Sequence, residues 1–161
     1  MSNFDKIEQA IEKEIGKVHK ILAHSYSTYF VFFLIGVILD LIFKFKIFTS
    51  YISIPVGLFF IILASIIIFW AQKAGRDLKE GEEVKKEHFS RGPYLYTRSP
   101  THWGLFFLML GFGLMANAVF IILSTLISFL ITRFFFLEKR EKILEDKYGA
   151  PYQEYKKSVK L

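Results

Sequence analysis

Residues 99–132 read SPTHWGLFFLMLGFGLMANAVFIILSTLISFLIT, a run of 34 residues without Asp, Glu, Lys or Arg. One straight helix of this length would extend about 51 Å, far beyond the roughly 30 Å hydrocarbon core of a bilayer. The polar break at Met115-Ala116-Asn117 is where the chain can turn, because Asn is a favoured turn residue. The run therefore predicts a helical hairpin with arms over about 102–116 and 118–137.

Two further apolar segments precede this hairpin. Tyr26–Phe43 carries a single charge, Asp40, and the 26 residues from Ile47 to Gln72 carry none. Each segment is long enough to cross the bilayer core, which predicts spans at about 26–43 and 47–71. The fold class is therefore an all-α polytopic membrane protein with about four transmembrane helices, the last two forming the hairpin.

Composition narrows the class of protein further. Of the 161 residues, 53% are hydrophobic, and they are concentrated in blocks, which argues against a disordered chain or a soluble globule. There is no Cys, which excludes disulfides, thiolate metal sites and a Cys nucleophile. The four His residues show no i, i+4 pair, so no metal site is predicted.

The positive charges indicate an orientation in the membrane. Segments 1–25, 73–98 and 133–161 hold 4, 7 and 8 Lys or Arg residues, whereas the turn at 44–46 holds 2. Four spans would place the three rich segments on one side, which the positive-inside rule makes cytosolic. We expect an integral membrane protein with both termini in the cytosol, in the cell membrane if the source is prokaryotic. Its bases then lie beside anionic lipid, and no nucleic-acid partner is expected.

The polar segments complete the predicted organisation. Residues 1–24 are predicted to form an amphipathic interfacial helix, and 25–161 the membrane domain, with a cytosolic loop over 72–101 and a helical cytosolic tail over 138–161. The apolar stripe of the first helix consists of Phe4, Ile7, Ile11, Ile15, Val18 and Leu22. In the tail, Gly149 is placed to end one short helix and Pro151 to begin the next.

The loop enters the hairpin and the tail leaves it, so a closed hairpin brings the two together at one membrane depth. Arg98 lies just before the first arm, where a snorkelling interfacial role is as plausible as a functional one. Tyr148, Tyr152 and Tyr155 can share one side of the tail, although such a stripe usually serves packing. Asp40 is expensive in lipid, but its position near a span end favours a structural role.

Two motifs flank the hairpin. Residues 92–104 read GPYLYTRSPTHWG and residues 140–155 read REKILEDKYGAPYQEY. They resemble the hallmarks G-P-Y-x-x-x-R-H-P-x-Y-x-G and E-E-x-x-L-x-x-x-[FY]-G-x-x-Y-x-x-Y of the isoprenylcysteine carboxyl methyltransferase family and the related membrane phospholipid methyltransferases. The resemblance covers about residues 60–160. The chain departs from it at Ser99 (His in the family), His102 (Tyr in the family) and Arg140 (Glu in the family).

The resemblance implies S-adenosylmethionine as cofactor and methyl transfer to a lipophilic acceptor at the cytosolic membrane interface. The acceptor would be the carboxylate of a prenyl-cysteine-like molecule or a lipid amine. Arg98 would pair with a carboxylate, and Glu141 would accept hydrogen bonds from ribose hydroxyls or an amino group, which makes these two the candidate catalytic residues. An NADPH-dependent membrane reductase and a non-catalytic membrane protein with a degenerate site stay open as alternatives, and the oligomeric state is not predicted.

The resemblance also carries over a set of site residues. The expected cofactor-binding residues are Gly92, Pro93, Tyr94, Arg98, Ser99, Pro100, His102, Glu141 and Tyr152. The expected substrate residues are Tyr148, Tyr155 and Trp103. Aromatic faces such as those of Tyr94, Tyr152 and Trp103 suit a sulfonium cation, each contributing about 0.5–2 kcal/mol.

Overall fold

The computed structural model describes residues 3–48, 51–76 and 89–159, and about 85% of these described residues are helical. No strand occurs within these described ranges. The helices are α1 (Asn3–Phe43), α2 (Ser53–Arg76), a 3₁₀ helix (Gly92–Leu95), α3 (Pro100–Met115), α4 (Val119–Ile131), a π-helix (Thr132–Leu137), α5 (Glu138–Tyr148) and α6 (Ala150–Ser158). The prediction of an all-α chain is confirmed. The apolar stripe predicted for residues 4–22 and most of the predicted loop, 77–88, lie outside the residues whose contacts are described.

The length of the helices fits a membrane protein. Three stretches are long and apolar enough to cross a bilayer, Ala23–Phe43, Ser53–Ala74 and Val119–Tyr148. The apolar helix α3 is shorter, at 16 residues. These three or four helices agree with the predicted number of spans.

The hairpin turn lies where the uncharged run predicted it. Helix α3 ends at Met115 and α4 begins at Val119. Between them, Asn117 adopts a left-handed backbone conformation with φ 54°. Asn tolerates this conformation better than most residues other than Gly, which explains why the chain reverses here.

Asn117 also connects the hairpin turn to the turn between α1 and α2. Its side-chain Oδ1 accepts hydrogen bonds from the amides of Ile47 (2.9 Å) and Phe48 (2.8 Å). Its Nδ2 donates to the carbonyl of Phe48 at 2.6 Å. Both turns therefore lie at one end of the helix bundle, and the opposite end carries the 3₁₀ helix, α5 and α6.

Asp40 has a structural role at this end. Its carboxylate accepts hydrogen bonds from the amides of Phe120 (3.2 Å) and Ile121 (2.9 Å), in the first turn of α4. These amides have no partner within their own helix, and a negative charge is favourable at a helix N-terminus. The capping contact accounts for a charge so close to lipid.

The hairpin is packed between the two preceding helices. Helix α2 lies along α3, and α1 lies mainly along α4. The first of these contacts depends on glycine, because a Cβ built on Gly111 would lie 2.8 Å from the carbonyl oxygen of Gly57 and 2.9 Å from the amide nitrogen of Ile61. Small residues at such crossings let helix backbones approach closely in a membrane.

Gly111→Val should therefore destabilise the fold. The added atoms would meet backbone atoms, which cannot rotate away as a flexible side chain can, and overpacking of this kind costs about 1–3 kcal/mol. A lower midpoint of thermal unfolding in detergent, compared with Phe112→Val at the exposed neighbouring position, would show it. Equal midpoints for both variants would contradict the close approach of α2 and α3.

Several helix boundaries differ from the sequence prediction. Helix α2 begins at Ser53 instead of residue 47, with Pro55 in its first turn, where the missing amide proton costs little. Helix α1 runs from Asn3 to Phe43 without a break at residue 24. The last span continues through the π-helix into α5, so the tail begins as an extension of the span. Gly149, with φ +59°, separates α5 from α6 as predicted.

Candidate active site

A tight turn precedes the hairpin and sets the position of Arg98. Gly92 has φ +55°, and a Cβ at this position would lie 2.9 Å from the indole Nε1 of Trp70, so both conformation and space favour glycine. The amides of Tyr96 and Thr97 both donate to the carbonyl of Pro93 at 3.2 Å. This bonding closes the 3₁₀ turn and carries the chain directly to Arg98 at the start of α3.

Ser99 and Pro100 begin helix α3. Ser99 occupies the N-cap position and Pro100 the first turn, where a proline is well tolerated. Both residues are buried, Ser99 with 5% of its surface exposed. The amide of Ser99 donates to the hydroxyl of Thr97 at 3.3 Å. These contacts fix the backbone on either side of Arg98.

Arg98 forms an ion pair with Glu141. The guanidinium Nη1 donates to the carboxylate Oε2 of Glu141 at 2.8 Å, and the two side chains are 14% and 17% exposed. Glu141 lies in the first turn of α5, 43 residues further along the chain. The structure therefore brings together the two residues that the motifs marked as candidate catalytic groups.

A second cation joins this pair from the last helix. The Nζ atom of Lys156 lies 3.2 Å from Oε2 of Glu141 and 2.6 Å from Oε1 of Glu145. The hydrogen bond with Glu145 is the main reason that the pKa of Lys156 is raised above its usual value. Lys156 was not among the predicted site residues, although it directly follows the last tyrosine of the tail motif.

Arg98, Glu141, Glu145 and Lys156 together form a charged cluster. Two arginine nitrogens in or near this charged cluster are buried without a partner. Nε of Arg98 and Nε of Arg140 are inaccessible to solvent and make no hydrogen bond within the described ranges of the chain. Leaving a buried donor unpaired costs about 1–3 kcal/mol, more when it is charged, so such atoms suggest a missing acceptor. The cluster thus has donors for an anionic oxygen.

An apolar groove of about 350 Å³ lies between α2, the 3₁₀ turn and α3. Its wall includes Thr97 and Pro100, which are next to Arg98 and Ser99 in the chain. Trp103 was a predicted site residue, whereas Trp70 and Tyr96, which also line the groove, were not. The full lining consists of Ile67, Trp70, Pro93, Tyr96, Thr97, Pro100, Trp103 and Phe107.

Comparison with known families identifies the type of protein. A family model described as phospholipid methyltransferase matches residues 52–151, which is more than half of the chain and includes α2, the hairpin and α5. The chain belongs to the phospholipid methyltransferase family. No curated protein and no solved structure gave a match to it.

Membership of the phospholipid methyltransferase family confirms the resemblance to membrane phospholipid methyltransferases and makes the protein a membrane methyltransferase. The matched range contains the Arg98–Glu141 pair and every residue that lines the groove. It ends at residue 151, before Tyr152, Tyr155 and Lys156. All three residues lie on α6, most of which follows the matched range.

The tail tyrosines mainly pack α6 against Phe89 and the 3₁₀ turn. Tyr152 and Tyr155 are 3% and 2% exposed, and they surround Phe89 together with Tyr148. The hydroxyl of Tyr155 donates to the carbonyl of Tyr94 at 2.8 Å, which joins α6 to the 3₁₀ turn. Burial raises the pKa of Tyr152 to about 12 and also raises the pKa of Tyr155, so both hydroxyls stay protonated at neutral pH.

His102 and Trp103, at the start of α3, both contact Phe129 but differ in their other neighbours. His102 is 4% exposed, with its Nδ1 3.0 Å from the hydroxyl of Tyr29 and its ring stacked on Phe129 at 4.6 Å. Trp103 packs against Phe129 at 5.0 Å and against Phe107 at 6.0 Å, and it lines the groove. Of the two, His102 takes part in interior packing, and its predicted contact with a cofactor stays a prediction.

Proposed function

We propose that the protein transfers a methyl group from S-adenosylmethionine to the polar end of a lipophilic acceptor at the membrane–water boundary. One observation carries the proposal: the segment Thr97–Pro100 contributes Arg98 to the charged cluster and also forms part of the apolar groove. A methyl donor that enters from water and an acceptor that enters from lipid could meet at this segment. Membership of a methyltransferase family supports the same chemistry.

The charged cluster fits S-adenosylmethionine. The unpartnered Nε atoms of Arg98 and Arg140 suit the carboxylate of its amino-acid part. Both ionic contacts of Glu141 use Oε2, so Oε1 would accept from a ribose hydroxyl or from the amino group. When bound, S-adenosylmethionine supplies a methyl group on a positively charged sulfur, which needs no metal to react.

The role of the protein in this reaction would be alignment. The ion pair and the 3₁₀ turn would hold the cofactor at one end of the groove, and the groove would orient the acceptor toward it. Positioning two reactants in this way lowers the barrier by removing much of the entropy cost of their encounter. The acceptor atom gains the methyl group, the carbon–sulfur bond breaks, and an amine acceptor also releases a proton to water.

The groove suits the hydrocarbon part of the acceptor. Its aromatic and aliphatic side chains, among them Ile67, Trp70 and Phe107, offer apolar contact with no charged residue among the described lining. Two acceptor classes fit this arrangement, a prenyl-cysteine-like carboxylate and a lipid amine.

Label transfer would test the function and separate the acceptors. Purified protein in nanodiscs would receive methyl-tritiated S-adenosylmethionine together with either an aminolipid or a prenyl-cysteine analogue. Tritium in the organic phase with one of the two would identify the acceptor class. No transfer to either, together with binding of NADPH and not of S-adenosylhomocysteine, would contradict the proposal and favour a reductase.

The proposal also places the charged end of the bundle in the cytosol, on the basis of the positive charges. The chain has no Cys, so Ala116→Cys at the hairpin turn and Lys139→Cys on α5 each introduce a single thiol at an exposed position. An impermeant maleimide added to intact cells should label only the first variant, and the second only after permeabilisation. The opposite pattern would contradict the orientation.

A further inference from the structure

The last helix, α6, contacts the charged cluster and the 3₁₀ turn at the same time. Lys156 reaches Glu141 at 3.2 Å, and the preceding residue, Tyr155, donates to the carbonyl of Tyr94 at 2.8 Å. The cluster and the turn are the two parts of the proposed cofactor site, and α6 links them. Apart from its first two residues, this helix lies beyond the range of the family match, which ends at residue 151.

The contact of Lys156 constrains the Glu141 carboxylate in a specific way. Arg98 Nη1 and Lys156 Nζ both lie on the same oxygen, Oε2, at 2.8 and 3.2 Å. In the described part of the chain, Oε1 of Glu141 has no hydrogen bond or ion pair. Two cations on one oxygen oppose rotation of the carboxylate and leave the other oxygen available as an acceptor.

From this geometry we infer that Lys156 is a positioning residue for Glu141, holding its carboxylate so that Oε1 faces the cofactor. The inference rests on the proposed function, since it assigns Glu141 to the cofactor. Arg98 alone would leave the carboxylate free to turn about this single bond. Lys156 is itself held by Glu145 at 2.6 Å, so its ammonium group has a defined place.

The joint between α5 and α6 explains why such a contact is needed. Gly149 lies between the helices with φ +59°, and a Cβ built there would meet nothing within 4 Å. Gly149 has no side chain, so this residue adds no side-chain packing that would fix the angle of α6. The Lys156 ion pairs, the Tyr155 hydrogen bond and the packing of Tyr152 would therefore hold α6 in register with the site.

Matched variants can isolate the role of Lys156. Lys156→Gln should raise the dissociation constant for S-adenosylhomocysteine about fivefold, because a half-exposed ion pair contributes little more. Lys156→Arg should keep the wild-type affinity. Lys157→Gln, at the exposed neighbouring position, should also leave the affinity unchanged. In methyl transfer, Lys156→Gln should raise KM for S-adenosylmethionine about fivefold and change kcat less than twofold.

The outcomes distinguish this inference from the proposed function. If the wild-type protein does not bind S-adenosylhomocysteine, the proposed function fails and the inference falls with it. If the wild type binds and Lys156→Gln binds equally well, only the positioning role is overturned. Should Lys156→Gln fail to fold, Glu145→Ala replaces it, because it removes the acceptor of the shorter contact that holds Lys156 in place. An unchanged dissociation constant for that variant would overturn the role as well.

Discussion

Arg98→Ala should lower kcat/KM for methyl transfer about 100-fold or more. The side chain is 14% exposed and forms a 2.8 Å ion pair with Glu141. A hydrogen bond to a charged group contributes about 1.5–3 kcal/mol, and each 1.4 kcal/mol is a factor of ten in an equilibrium or rate constant, so a loss of this size is expected. The substitution also removes the buried Nε donor that we assign to the cofactor carboxylate. Initial rates with labelled S-adenosylmethionine would measure the loss.

The control for this variant is Arg91→Ala, which removes an exposed arginine from the same turn. Its activity should stay within about twofold of wild type. Glu141→Gln should resemble Arg98→Ala, and the double variant should be little worse than either, because residues in one ion pair are not additive. A fully active Arg98→Ala enzyme would show that the charged cluster is not needed for methyl transfer.

Ile67→Trp should raise KM for the lipophilic acceptor about tenfold or more. Ile67 lines the groove of about 350 Å³ between α2 and α3, and the larger ring would occupy the space assigned to the hydrocarbon chain. Affinity for S-adenosylhomocysteine should not change, since the charged cluster is untouched. Titrating the acceptor at saturating S-adenosylmethionine would separate the two effects.

Phe69→Trp is the matched control on the same helix. Phe69 is 71% exposed and is not part of this groove. The control should have the KM of the wild type, because Phe69 does not line the groove. An equal rise in KM for both variants, or none for Ile67→Trp, would show that the acceptor does not use the groove.

The sequence predicted the hairpin and the meeting of the segments that bear Arg98 and Glu141 for simple physical reasons, whereas the ion pair between these two residues was not predicted. An uncharged run of 34 residues is too long for one span, and Asn117 is the residue that tolerates the turn. Arg98 and Glu141 flank that run, so closing the hairpin had to bring their segments to one end of the bundle. Both predictions depend on local composition and on chain connectivity, which a sequence states directly.

Other features depend on contacts that no local pattern records. Lys156 reaches Glu141 only because α6 folds back at Gly149 and packs through its buried tyrosines. Trp70 completes the groove because α2 lies along α3. No sequence pattern indicates the π-helix at Thr132–Leu137 either, since its residues are compatible with an ordinary α-helix. These features come from tertiary packing.

The most direct measurement is isothermal titration of the purified protein in nanodiscs with S-adenosylhomocysteine and, separately, with NADPH. We expect saturable binding of S-adenosylhomocysteine at one site per chain, loss of this binding in Arg98→Ala and Glu141→Gln, and no binding of NADPH. Binding of NADPH alone, or S-adenosylhomocysteine affinity unchanged in both variants, would contradict the account.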